Sequence, residues 1–155
     1  MCCIITQLNY CLIPNFENQG HLPIGIHWST IEEVKAKLCF SNKRKQLVLG
    51  LEEAILSLKH AGCEKIYLDG SFCTIKENPN DIDVCWEVEN VDLDLLIIIE
   101  PVLFEFDLGR KAQKERFGCE FFPAQFIAEP PDKTYIDFFQ QDRDGNPKGI
   151  IGIKI

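Results

Sequence analysis

Two stretches decide how this chain folds: Lys65-Ile66-Tyr67-Leu68-Asp69-Gly70-Ser71, and, ten positions beyond that serine, Asp81-Ile82-Asp83-Val84-Cys85-Trp86-Glu87-Val88. The first is a short strand that ends in a small-residue bend. In the second the alternation is strict. Ile82, Val84, Trp86 and Val88 point one way, and Asp81, Asp83, Cys85 and Glu87 point the other, the period-two pattern of a β-strand. Asp69-Gly70 is also a hairpin signal. On that alternative Lys65–Leu68 folds back on Phe72–Ile75, and Ser71 is a turn residue with no other role.

Working outward, Thr30 and Glu33 stand at capping-box spacing and open a short helix that runs to about Cys39. A second helix starts near Ser41-Asn42. Leu47, Leu51, Ala54, Ile55 and Leu58 recur at three and four on one face, and Gly62 ends the helix. Residues 1–28, with Pro14, Gly20, Pro23 and Gly25, read as an irregular arm. Val91 to Phe117 reads as helical, broken by Pro101 and Gly109. Cys119 to Phe126 reads as a strand, Thr134 to Gln140 as a helical turn, and Ile150 to Ile155 as a last strand. The expected fold class is α/β (α+β): one domain over residues 1–155 with a mixed sheet, flanking helices and a core at residues 65–126.

The chemistry lies in Gly70-Ser71 and Asp81-Ile82-Asp83. Two aspartates separated by one strand residue share a face, with carboxylates about 6–7 Å apart along the chain. Mg²⁺ takes hard oxygen ligands and keeps several waters, so a carboxylate pair together with a substrate phosphate suits it. A Gly-Ser bend on a neighbouring strand lets backbone amides and the Ser71 hydroxyl approach that phosphate. These parts suit phosphoryl or nucleotidyl transfer, with in-line attack between two ions ~3.5–4 Å apart.

A strand ending in Gly-Ser, followed about ten residues later by Asp-hydrophobic-Asp, resembles the nucleotidyltransferase superfamily of DNA polymerase beta type, and within it the small minimal nucleotidyltransferases. The likeness is carried by Leu68-Asp69-Gly70-Ser71-Phe72 and Asn78-Pro79-Asn80-Asp81-Ile82-Asp83-Val84. Leu22-Pro23-Ile24-Gly25-Ile26-His27, Asp137-Phe138-Phe139-Gln140 and Lys148-Gly149-Ile150 look like a small uncharacterised bacterial group near that superfamily. The motif covers residues 65–88 and extends to 126. The resemblance implies catalytic and metal-binding roles for Asp81 and Asp83, two Mg²⁺ ions, and a nucleoside triphosphate donor, ATP first. It implies a third catalytic acid on a later strand, directed at the same metals as a ligand or as the base for the attacking hydroxyl, in the slot that Glu120 fills. It also implies transfer of a nucleoside monophosphate to a protein or small-molecule hydroxyl, in an antitoxin or defence setting with a toxin as partner. Gly70 and Ser71 would grip the phosphates. Lys76, in the loop between the half-motifs, is placed to meet a triphosphate, or is a solvated loop lysine. The chain is short for a superfamily member, so an acceptor protein or the second copy in a homodimer would complete the cleft. The competing expectation is a catalytically degenerate module of this fold that works by protein–protein binding. A phosphohydrolase ranks last.

Composition narrows the partners. The chain has 24 acids against 16 bases, a formal charge of −8. From Glu77 to Gly109 there are ten acids and no Lys or Arg. A long nucleic-acid track is therefore not expected, because such binding neutralises phosphates with cations. Arg110, Lys111, Lys114 and Arg116 form the basic cluster nearest the motif, or merely balance the acidic segment before it. Leu95 to Ile99 is the longest apolar run and is far too short to span a bilayer. The amino terminus lacks the basic region of a secretory signal. Eight cysteines without knuckle spacing read as buried thiols, and a cytoplasmic location is expected. Asp142-Arg143-Asp144-Gly145-Asn146 is not a calcium loop, because Pro147 stands where glycine is needed.

Overall fold

The computed structural model describes residues 13–155. Cys2, Cys3, Cys11 and the start of the arm lie outside the described residues. The elements in order are β1 (Gly25–Ser29), α1 (Ile31–Leu38), α2 (Asn42–His60), β2 (Lys65–Asp69), a 3₁₀ turn (Gly70–Cys73), β3 (Ile82–Trp86), α3 (Leu93–Ile99), a second 3₁₀ turn (Pro101–Phe104), α4 (Asp107–Phe117), β4 (Cys119–Pro123), β5 (Ile127–Glu129), β6 (Lys133–Thr134), α5 (Tyr135–Phe139) and β7 (Gly149–Lys154).

The first two helices begin where their caps require. Thr30 Oγ1 accepts from the Glu33 N–H at 3.2 Å, and Ser41 Oγ accepts from the Arg44 N–H at 3.3 Å. Each satisfies an amide that has no partner within its own helix. Leu47, Leu51, Ala54 and Leu58 are all buried along one face of α2, each large side chain adding about 1.5–3 kcal/mol of burial. Gly62, with φ +95°, follows the helix end. The region from 91 to 117 is interrupted at both expected places: the second 3₁₀ turn begins at Pro101, and Leu108, Gly109 and Arg110 are left-handed at the start of α4.

Five strands form one mixed sheet in the order β1-β7-β2-β3-β4, and β5 and β6 form a small separate hairpin. β1/β7 and β3/β4 are parallel, while β7/β2 and β2/β3 are antiparallel. Period two then sorts the residues between the two faces. Ile66, Leu68, Ile82, Val84, Trp86 and Phe121 join the main core with α1, α2 and α3. Tyr67, Cys85, Phe122 and Ile150 join a smaller aromatic core with α5 residues such as Phe139. Cys63, Cys73, Cys85 and Cys119 are buried free thiols, and Cys39 is a half-buried one.

The structure differs from the sequence reading at several places. The irregular arm does not extend to residue 28. Gly25–Ser29 is a strand, because a parallel partner at Gly149–Ile153 supplies its ladder from across the chain, which no local pattern could announce. The hairpin that was the alternative at Asp69-Gly70 does not form. Gly70–Cys73 is a 3₁₀ turn, and β2 pairs with β3 and β7 instead. The strand expected over 81–88 is shorter, leaving Asp81 just before it. The β5/β6 hairpin falls in the stretch between Phe126 and Thr134, to which the sequence reading assigns no element.

No helix among the described residues is long and apolar enough to cross a membrane. At Gly50 α2 passes close against the end of α4: a Cβ there would be driven into the carbonyl oxygen of Phe117. Gly50→Ala gains about 1 kcal/mol of helix propensity but loses more to this backbone clash. It is expected to destabilise the protein by about 1–3 kcal/mol in urea unfolding; unchanged or raised stability would refute the close approach.

Candidate functional site

Position along the strands fixes what each face carries. Asp69 lies two residues from Tyr67, Asp83 two from Cys85, and Glu120 two from Phe122, so all three acids share the face of the smaller aromatic core. Register then aligns them. Asp69 pairs with Asp83 across β2/β3, and Asp83 pairs with Glu120 across β3/β4. The result is a row of three acids across three adjacent strands, next to the apolar row Tyr67–Cys85–Phe122. Like charges directly opposite destabilise a sheet, so packing alone does not favour such a row.

The row stands at the edge of an open cleft of about 1050 Å³. Asp81, Asp83, Glu120, Gly70, Ser71 and Lys76 all line it, so every site residue expected from the sequence is brought to one place. Gly70 is left-handed, with φ +75°, and a Cβ there would collide with the Asp83 carboxylate. Only glycine both adopts that backbone and lets the carboxylate lie against it. The turn therefore touches the acids.

Arg44 holds the turn in place. It is buried in α2, yet its guanidinium donates to the carbonyls of Phe72 at 2.8 Å, Thr74 at 2.7 Å and Lys76 at 2.6 Å. It also lies over the Phe40 and Phe72 rings, 4.1 and 5.0 Å from their centroids. Five fixed donors suit this arginine to collecting loop carbonyls. Burial pushes its pKa down.

The electrostatics are unbalanced toward acid. Burial, then the charges of Asp69, Asp81 and Glu120, push the Asp83 carboxyl up to about 7, and the Glu120 carboxylate lies within hydrogen-bonding reach of it. Burial and Glu120 also raise Asp81, and burial raises Asp69 against the pull of Lys148. Two lysines answer part of this charge. Lys114 Nζ contacts Glu120 Oε1 at 2.6 Å, and Lys148 contacts Asp69 Oδ1.

Among the described residues, no three His, Cys, Asp or Glu side chains are arranged to enclose a metal ion. A magnesium site completed by substrate would need only one or two protein carboxylates and would take further oxygens from phosphate and water. Asp81 and Asp83 would be those carboxylates. Glu120, tethered to Lys114, adds negative charge beside them. Crowded acids short of cations are the donor chemistry a divalent ion relieves.

Sequence reasoning missed Asp69 and Lys148. Asp69 reads as half of a hairpin turn, and Lys148 lies far along the chain, so only the β2/β7 pairing brings them together. His21 was also missed; it lines the cleft, and its Nδ1 is buried with no partner. The basic cluster disperses. Arg110 lies over Phe122 at 3.9 Å, Lys111 pairs with Glu115, Arg116 pairs with Glu53 and Glu100, and only Lys114 reaches the acids. Asp142 caps its own turn, accepting from the Asp144 and Asn146 amides. His27 Nε2 contacts the Pro23 carbonyl at 2.7 Å, a structural tie.

A sequence profile for DUF6932, described as a family of unknown function, matches residues 14–154. The chain belongs to this family. No curated protein and no solved structure matches it. The DUF6932 match takes in every acid of the row, the Gly-Ser turn, Arg44 and Lys148.

The raised Asp83 carboxyl gives a signed pH dependence for the metal-free protein. Its unfolded value is near 3.8 and its folded value about 7, so its stabilising contribution is complete below pH ~4 and disappears as pH rises to about 7. Asp83→Asn, neutral and nearly isosteric, is expected to exceed wild type by on the order of 2–4 kcal/mol at pH 8 and to match it near pH 4. Chemical denaturation across that range checks this. A variant less stable than wild type at pH 8 would contradict the crowding.

Proposed function

We infer that the protein is a Mg²⁺-dependent nucleotidyltransferase of the DNA polymerase beta-like kind, moving a nucleoside monophosphate from a triphosphate donor to a hydroxyl on a protein or small molecule. One observation carries this reading: Asp83 and Glu120 stand in register, with Asp81 beside them and the Gly70-Ser71 turn against the Asp83 carboxylate, all in one cleft.

In this reading the Gly70-Ser71 turn and Lys76 hold the donor's phosphates through amide, hydroxyl and ammonium donors. Asp81 and Asp83 would hold Mg²⁺, which when bound supplies charge neutralisation at the phosphate and orients the attacking oxygen. Glu120 is the carboxylate placed to accept the acceptor hydroxyl's proton. The acceptor oxygen bonds to the α-phosphorus as the bond to the bridging oxygen breaks, and pyrophosphate departs. Arg44 keeps the turn rigid, so its donors need no reordering when phosphate arrives. ATP is the first donor to try, and a partner protein, a toxin among the candidates, is the first acceptor.

A second reading has its own observation. Glu120 is occupied by Lys114 at 2.6 Å, which suits a degenerate site in a module that acts by binding a protein partner.

Incubation with each radiolabelled triphosphate, Mg²⁺ and a cell extract as acceptor source separates the two. Label is expected to move to an acceptor with wild type, and to fall by at least about 100-fold with the Asp81→Ala, Asp83→Ala double variant. Transfer that survives the double variant would overturn the catalytic assignment. Absence of transfer by wild type, with a captured partner retained equally by both proteins, would favour the docking module.

A further inference from the structure

Of the two lysines that contact the acid row, Lys148 is the more deeply buried. Lys148 stands just before β7, and its ammonium reaches back to Asp69 Oδ1 at the end of β2. The pair is not part of either hydrophobic core. Both residues line the cleft, with side chains only 13% and 6% exposed. Lys148 is held by backbone on both sides: its N–H donates to the Gln140 carbonyl at 2.9 Å, and the Gly149 N–H donates to the Leu22 carbonyl at 3.1 Å. A Cβ at Gly149 would strike the Pro23 carbonyl.

Stability gives little reason for such a pair. Removing two charges from water costs about as much as their attraction returns, and matched apolar residues would serve the sheet as well. Its location is more informative. Asp69 immediately precedes the Gly70-Ser71 turn, and the Gly70 backbone amide favours the charged form of the Asp69 carboxylate. β7 and β3 flank β2 on opposite sides. The turn therefore has Asp81, Asp83 and Glu120 on one side and Lys148 on the other, with two strand spacings or about 10 Å from β7 to β3 and one spacing more to Glu120 on β4. A polyphosphate lying over the turn, with one end at the acids, runs toward that ammonium.

We propose that Lys148 binds the donor's polyphosphate, with Asp69 orienting its ammonium toward the cleft and neutralising it until substrate arrives. This rests on the nucleotidyltransferase reading and adds a donor-site residue to it. Lysine serves here as a compact point charge able to contact both Asp69 and phosphate. The nucleoside part of the donor does not meet it.

The test is calorimetric titration of the full chain with each of the four ribonucleoside triphosphates in Mg²⁺, and with the free nucleosides. Lys148→Met is expected to weaken triphosphate binding about 10- to 100-fold and to leave nucleoside binding unchanged. Because Lys148→Met strands a buried carboxylate, the Asp69→Asn, Lys148→Met double variant is measured beside it. The double variant is expected to recover the thermal stability that the single one loses, without recovering triphosphate affinity. Affinity that returns with stability would make the pair structural and overturn the proposal, as would wild-type affinity in the single variant. A wild-type chain that binds no triphosphate would instead overturn the nucleotidyltransferase reading itself.

Discussion

Carboxylate repulsion across three neighbouring strands is the constraint that the rest of the structure accommodates. Asp69, Asp83 and Glu120 face the same way in register, and Asp81 adds a fourth charge at the strand entrance. A sheet built for stability alone would place apolar or opposite-charge pairs there. This sheet does so one row further along, where Tyr67, Cys85 and Phe122 lie under α5. The change from apolar to acidic row coincides with the cleft.

Several otherwise separate features follow from that crowding. Gly70 is needed both for its left-handed backbone and for the space that the Asp83 carboxylate fills. Lys114 and Lys148 each answer one acid at the two ends of the row. Arg44 reaches from the main core to hold the loop after the turn by its carbonyls, so the turn cannot retreat from the charge beside it. Asp83, which neither lysine contacts, is left with its carboxyl pushed up to about 7 by burial and by the acids around it.

Much of this was legible in the sequence because it is local. The caps at Thr30 and Ser41, the apolar face of α2, the breaks at Pro101 and Gly109, and the alternation around Asp83 each depend on residues a few positions apart. The spacing from Gly70-Ser71 to Asp81-Ile82-Asp83 gave the acids and the turn to one site, and the β4 slot gave Glu120. What stayed hidden depends on pairing between distant segments. β1 exists because Gly149–Ile153 lies beside it, and the same β7 brings Lys148 to Asp69. Arg44 carries no sign, within a helical pattern, that its side chain will enter the core and gather loop carbonyls.

A crystal of the full chain grown with Mn²⁺ and a non-hydrolysable triphosphate analogue tests the central claim most directly. The account predicts an anomalous peak coordinated by Asp81 and Asp83, with phosphate oxygens completing its shell and the Gly70-Ser71 amides facing them. Manganese bound elsewhere, or a triphosphate lying away from the acid row, would contradict it.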